Sequence, residues 1–234
     1  MTTNEIQPRD RLIIALDVAS ADEALGLMRE LSGEVSFFKI GLQLYTAAGP
    51  EIVRAVSATG AKVFLDLKLC DIPNTVAKAV SAAAELGVAM LTLHLSGGRK
   101  MLDAAAAGCP SNLLLLGVTV LTSADDATLR EIGIESTVAE QALRLAAIGS
   151  AAGIRGLIAS PHEVASLRKT LGTTTKIITP GVRPTWSAAD DQKRFTTPTE
   201  ALRNGADYLV IGRPVTAHPD PREAVRTIIS EITR

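Results

Sequence analysis

Short apolar runs rich in β-branched residues recur along this chain at 12–16, 37–40, 63–67, 90–93, 113–118, 156–159, 176–178 and 208–211. Between them lie amphipathic stretches such as 21–31, 50–58, 75–86, 138–147 and 163–171. A run that is apolar on both faces and only three to six residues long reads as an interior strand of a parallel sheet, and an apolar stripe at helical spacing reads as the covering helix. The helix entries carry start signals. Ser20-Ala-Asp22-Glu23 places a capping serine three residues before a glutamate, and Ser160-Pro161-His162-Glu163 adds a proline at the first helical turn. Strand–helix alternation repeated eight times predicts a single-domain (β/α)8 TIM barrel spanning 1–234. An open doubly wound sheet is the rival, but units of nearly even length without a dinucleotide-binding fingerprint favour closure. At 47% apolar and 21% charged residues, 234 residues suffice for one core.

The charge balance narrows the partners. A formal net charge of -1 leaves no electrostatic footprint for nucleic acid and no polybasic membrane patch. The polar N-terminus lacks an apolar signal core, and the longest apolar runs fall short of a membrane span, so a soluble cytoplasmic protein is expected. Cys70 and Cys109 are too few for a disulfide framework, and His94, His162 and His218 are scattered without zinc-ligand spacing.

In such barrels chemistry is placed at the carboxyl ends of the strands, and here those ends are polar. They offer Asp17, Lys39, then Asp66 with Lys68 and Asp71, then His94 and Ser96, Thr119 and Thr122, Ser160, Gly181 with Arg183, and Gly212 with Arg213. The run Asp66-Leu-Lys68-Leu-Cys-Asp71-Ile-Pro-Asn74 sets two acids and a lysine at the end of a buried strand, with Asp66 and Lys68 on one face by the period of two. A desolvated ammonium among carboxylates persists as structural glue or because chemistry needs it. The company of the other strand ends favours a catalytic centre. The last two strand ends fit a phosphate: their glycines admit backbone N–H groups, and Arg183 and Arg213 each present a planar fork of donors. Ordinary turn glycines and surface arginines are the plainer account of each pair taken singly.

These motifs together resemble the orotidine 5'-monophosphate decarboxylase family, bacterial type, over nearly the whole chain. They are Leu16-Asp17, Lys39, Asp66-Leu-Lys68-Leu-Cys-Asp71-Ile-Pro-Asn-Thr75, Val120-Leu-Thr122-Ser, Pro180-Gly-Val-Arg183-Pro and Ile211-Gly-Arg213-Pro. The resemblance implies a carboxy-lyase that converts orotidine 5'-monophosphate to uridine 5'-monophosphate without metal or other cofactor. It implies that Lys68 is the proton donor, that Asp66 sits beside the departing carboxylate, and that Asp17 and Lys39 bind ribose and complete the charge array. Asp71 and Thr75 would enter the site of the neighbouring subunit in a homodimer. Thr122 would contact the pyrimidine, Gln192 would bridge base and phosphate, and Arg183, Gly212 and Arg213 would hold the phosphate. Cys70 departs from the aromatic residue or histidine of relatives at a spacer position.

The polar stretch 183–197 is expected to be a lid over the barrel mouth, with Trp186 either capping the closed site or resting on the rim. His94 is expected to be a hydrogen-bonded core histidine rather than a substrate contact. The nearest alternative is a magnesium-dependent sugar-phosphate decarboxylase or aldolase of the same superfamily, where a glutamate stands in place of Lys39. A barrel that keeps phosphate binding but has lost catalysis is a second alternative, and the intact Asp-Lys-Asp array opposes it.

Overall fold

The structure, a computed structural model, describes residues 6–187 and 196–233. Eight parallel strands close into a barrel in sequence order: β1 (Leu12–Ala15), β2 (Phe37–Gly41), β3 (Lys62–Leu69), β4 (Met90–His94), β5 (Leu114–Val118), β6 (Gly156–Ile158), β7 (Lys176–Thr179) and β8 (Tyr208–Ile211). The closed barrel and its parallel order agree with the sequence expectation. The seam joins the first strand to the last, with Leu12, Ile13 and Ile14 in register with Leu209, Val210 and Ile211. The strand bounds shift by a residue or two from those expected, and the largest shift is β3, which runs on to Leu69.

Side-chain alternation along the strands makes two cores. Ile13, Ala15, Phe37, Phe64, Met90, Leu116, Ile178 and Val210 point inward and fill the barrel. Their neighbours, such as Leu12, Ile14, Phe38, Ile40, Val63, Leu65 and Leu91, point outward and meet the helices. Burial on both faces is why the strands read as continuous apolar runs, and each fully buried Leu, Ile or Phe contributes roughly 1.5–3 kcal/mol. The inward set also fixes what lies above it. Two residues on from Ala15 comes Asp17, two on from Phe37 comes Lys39, two on from Phe64 comes Asp66, and two on from Met90 comes Thr92. A period of two thus sets a polar layer directly on an apolar floor.

Most helix starts follow the local chemistry. Ser20 caps the helix Ala21–Glu30 by accepting from the Glu23 N–H, and Thr137 and Thr197 each form a complete capping box. Ser160 is a correction. The helix begins at Val164, and residues 161–163 form a turn in which the Glu163 N–H donates to the Ser160 carbonyl at 2.9 Å. Only half of a capping box is present: the Glu163 carboxylate accepts from the Ser160 N–H at 3.3 Å, and no side chain caps the helix. At the opposite end of the barrel, Arg168 donates to the carbonyls of Gly172, Thr175 and Gly205 and pairs with Asp207 at 2.6 Å. The helix Pro221–Thr233 is fastened back to the first unit through Arg226 to Glu34 at 2.6 Å and Arg222 to the Glu30 carbonyl at 2.7 Å.

Glu163 is only 6% exposed, and burial pushes its carboxyl up to about 7. A carboxyl raised in the folded state favours the fold most when protonated, and this contribution is lost as pH rises through the folded value. The stability of the protein relative to a Glu163→Gln variant should therefore fall between about pH 4.5 and pH 8, by on the order of 3 kcal/mol. Urea unfolding at both pH values measures this, and a difference that does not change with pH would contradict it.

Candidate active site

The polar layer is an ion chain across three strands. Lys39 Nζ lies 2.9 Å from Asp17 Oδ1 and 3.7 Å from Asp66 Oδ2, and Lys68 Nζ lies 2.9 Å from Asp66 Oδ1. The order Asp17, Lys39, Asp66, Lys68 alternates in sign, so each inner charge has an opposite neighbour on either side. The two inner side chains are the most enclosed, 11% exposed for Lys39 and 13% for Asp66, against 30% for Lys68 and 58% for Asp17. Burial without such pairing would cost several kcal/mol per ion. The line needs a glycine that the sequence pattern did not single out: a Cβ on Gly41 would stand 2.9 Å from Lys39 Nζ and 3.3 Å from Asp17 Oδ1. Any side chain there would displace the first ion pair.

Lys68 reaches Asp66 by a route that strand periodicity did not foresee. Between β3 and β4 the register passes from Leu65↔Leu91 to Leu69↔Leu93, so Asp66, Leu67 and Lys68 together oppose Thr92 alone. Within this bulge Lys68 has φ 51°, the only positive φ of a non-glycine among the described residues. Thr92, fully buried, occupies the gap. Its hydroxyl accepts from the Lys68 N–H at 2.9 Å and donates to Asp66 Oδ1 at 2.9 Å. His94 stands close enough for desolvation, and then the Lys68 ammonium, to hold its imidazole below the usual range, with Asp66 opposing. It is half-buried, in keeping with a neutral ring beside the array.

A pocket of about 310 Å³ opens over the chain. Its lining brings together Asp17, Lys39, Asp66, Lys68, Thr122, Arg183, Gly212 and Arg213, that is, eight of the eleven residues singled out from sequence. Arg183 is buried at 7% exposure, whereas Arg213 is exposed and opens the short helix Arg213–Thr216. Gly181, with φ 75°, makes the left-handed step that turns β7 toward Arg183. The stem of the loop after β7 is closed by a bridge between Val182 and Thr196, where the Arg183 N–H donates to the Thr196 carbonyl at 3.1 Å. One wall therefore carries the ion chain and the other two guanidiniums. A larger hollow, about 720 Å³, lies near the amino-terminal ends of β2 and β3 and contains none of these groups.

Two of the remaining three residues stand apart from the pocket. Asp71 and Thr75 are exposed and do not line the pocket, and Asp71 accepts from the Ile72 N–H at 2.6 Å. Among the described residues Lys68 thus has one carboxylate partner, Asp66, rather than two. Gln192 lies outside the described residues, as does much of the expected lid. Trp186 is 39% exposed and stacks edge-on with His218, ring centroids 5.4 Å apart. Cys70 is exposed. Among the described residues no group of three His, Cys, Asp or Glu is placed to share a metal ion, because the lysines interleave the acids, and no helix is long and apolar enough to cross a membrane.

Comparison with known proteins gives a consistent answer. The model of the orotidine 5'-phosphate decarboxylase / HUMPS family matches residues 10–228. A protein of Opitutus terrae named orotidine 5'-phosphate decarboxylase is 50% identical over 224 residues, covering 94% of this chain and 97% of the relative. One of the same name from Syntrophotalea carbinolica is 46% identical over 235 residues, covering 97% and 96%. The crystal structure of orotidine 5'-phosphate decarboxylase from Lactobacillus acidophilus aligns with a TM-score of 0.85 at 35% identity, covering 96% of this chain and all of that one.

The ion chain makes a direct stability prediction. Lys39→Met keeps the volume but leaves Asp17 and Asp66 without the cation between them. It should cost on the order of 3 kcal/mol at neutral pH, read by urea unfolding. A variant as stable as the parent would mean that the array contributes nothing to the fold.

Proposed function

The chain belongs to the orotidine 5'-phosphate decarboxylase / HUMPS family, and we propose that it converts orotidine 5'-monophosphate to uridine 5'-monophosphate in de novo pyrimidine biosynthesis, in the cytoplasm and without a cofactor. The observation that carries this reading is the alternating chain Asp17, Lys39, Asp66, Lys68 facing a pair of arginines across one pocket. A nucleoside monophosphate has matching parts: a phosphate for Arg183 and Arg213, ribose hydroxyls for Asp17 and Lys39, and a base that reaches Lys68 past Thr122.

Loss of carbon dioxide from the pyrimidine leaves an electron pair on the ring carbon. The Lys68 ammonium stabilises that developing charge and then gives the carbon its proton, to be replaced from water. Asp66, beside the substrate carboxylate, repels it in the bound state, and the repulsion is relieved as the carboxylate departs. It also holds Lys68 aimed through their 2.9 Å contact. Phosphate and ribose contacts, far from the reacting carbon, supply binding energy that draws the 183–197 loop and Gln192 over the site and excludes water.

The family name joins two activities, and Lys39 favours the decarboxylase of nucleotides over a magnesium-dependent sugar-phosphate enzyme. A cation 3.7 Å from Asp66 occupies the place where a metal-binding acid would be needed. The shared naming of relatives at 46–50% identity supports the same choice. The second carboxylate for Lys68 comes from a homodimer: Asp71 and Thr75, exposed on their own chain, enter the neighbouring pocket.

Two experiments test these assignments. Arg213→Ala should weaken binding of uridine 5'-monophosphate by roughly 30- to 150-fold, about 2–3 kcal/mol. Unchanged affinity, read by calorimetry, would show the phosphate held elsewhere. For the shared site, Lys68→Ala and Asp71→Ala homodimers should each be nearly inactive on orotidine 5'-monophosphate. After dissociation and reassociation of an equal mixture, half the dimers are mixed and each has one intact site. Activity should then return to roughly a quarter of the parent's. No recovery, with subunit exchange verified by mass, would place Asp71 in its own chain's structure instead.

A further inference from the structure

The bulge of β3 holds Lys68 in a left-handed conformation that a residue with a Cβ adopts only at a cost. Such a conformation persists where its surroundings over-determine it. Here the nearest cause is one hydroxyl on the adjacent strand. Thr92 lies beneath the pocket without lining it and is fully buried. A hydroxyl has one proton to give and lone pairs to receive, and Thr92 uses both: it takes the Lys68 N–H and gives its proton to Asp66 Oδ1, the oxygen that also receives Lys68 Nζ. Backbone amide, threonine hydroxyl, aspartate oxygen and lysine ammonium close a ring of hydrogen bonds around Lys68 itself. Without the hydroxyl, the Lys68 amide and Asp66 would each lose a buried partner, and nothing in the ring would hold the left-handed φ.

We propose that Thr92 is a positioning residue for the decarboxylation: it holds Lys68 in its strained backbone state and fixes Asp66, so that the ammonium is delivered in register with the reacting carbon. This inference rests on Lys68 being the proton donor. Thr92 touches neither substrate nor reacting atoms, and its effect passes wholly through Lys68 and Asp66. The hydroxyl therefore matters to turnover and little to affinity, since the phosphate is held at the other wall and the ribose by Asp17 and Lys39, whereas Thr92 bonds to Lys68 and Asp66.

Thr92→Val keeps the shape and removes the hydrogen bonds, whereas Thr92→Ser keeps the hydroxyl and removes a methyl group. Valine should lower kcat by roughly 10- to 100-fold, the scale of loss from a misplaced catalytic group. KM and the affinity for uridine 5'-monophosphate should stay within about threefold, because uniform binding is untouched. Serine should restore most of the lost kcat. Sites are counted by product binding, so a smaller folded fraction does not imitate a slower site. If Thr92→Val does not fold, Thr92→Cys, with a similar shape and a weak donor and acceptor, should show the same split between kcat and KM. Native kcat per site in the valine or cysteine variant, or a serine variant as slow as valine, would overturn the proposal. Lys68→Ala is measured alongside. Activity surviving in it would overturn the assignment of Lys68 and this inference with it, whereas an inactive Lys68→Ala beside a fully active Thr92→Val would overturn the positioning role alone.

Discussion

Lys39 and Asp66 are charged groups set into the mouth of an apolar barrel, and neither could be there without the other. Each is flanked by opposite charge: Lys39 by acids of the first and third strand ends, Asp66 by lysines of the second and third strands. The cost of removing an ion from water is offset only while those neighbours hold their distances. The array therefore ties the carboxyl ends of the first three strands together above the backbone ladder. It also sets demands on residues that carry no charge. Gly41 must lack a side chain for the Asp17–Lys39 pair to close, and the register of β3 against β4 must break for Lys68 to fold back on Asp66. Donors and acceptors arranged in this way need no rearrangement when charge appears in the pocket, which is the condition for electrostatic catalysis.

Closure of the barrel gives the site its second wall. The ion chain belongs to the first three strands and the guanidiniums to the loops after the last two, nearly the full length of the sequence apart. They share a pocket because β8 pairs with β1. The order of the strands thus brings the two arginines and the ion chain to one pocket, which the proposed substrate would span. The inward apolar layer beneath, from Ile13 to Val210, forms the floor on which both rest.

Much of this was legible in the sequence because two rules are strong. Interior parallel strands are apolar on both faces, and barrel chemistry sits at their carboxyl ends; these rules located all eight strands and brought Asp17, Lys39, Asp66, Lys68, Thr122, Arg183, Gly212 and Arg213 to one pocket. What escaped depended on context. Periodicity put Asp66 and Lys68 on one face, but the structure joins them through a bulge and a left-handed residue, features that no alternation encodes. Thr92 looks like any β-branched strand residue until the partner strand slips. Ser160 carried the residue type of a cap, yet the chain makes a turn first, and the helix starts at Val164. Asp71 and Thr75 are exposed on the single chain, where the proposed shared site would require them.

The seam between the first and last strands also governs when the molecule can become itself. A vectorially synthesised chain presents β1 first, but its partner on that edge, β8, is the last of the strands to emerge. Until then the edge of β1 is open, as is each newly formed edge on the growing side, and an open parallel edge invites wrong pairing. The fastening of Arg226 to Glu34 and of Arg222 to the Glu30 carbonyl belongs to this same late event. Closure of the barrel thus waits for β8, and the helix Pro221–Thr233 fastens that end of the chain to the first unit. The nascent protein, however much of its sheet is already paired, has no complete pocket until β8 joins β1, because Gly212 and Arg213 follow that last strand.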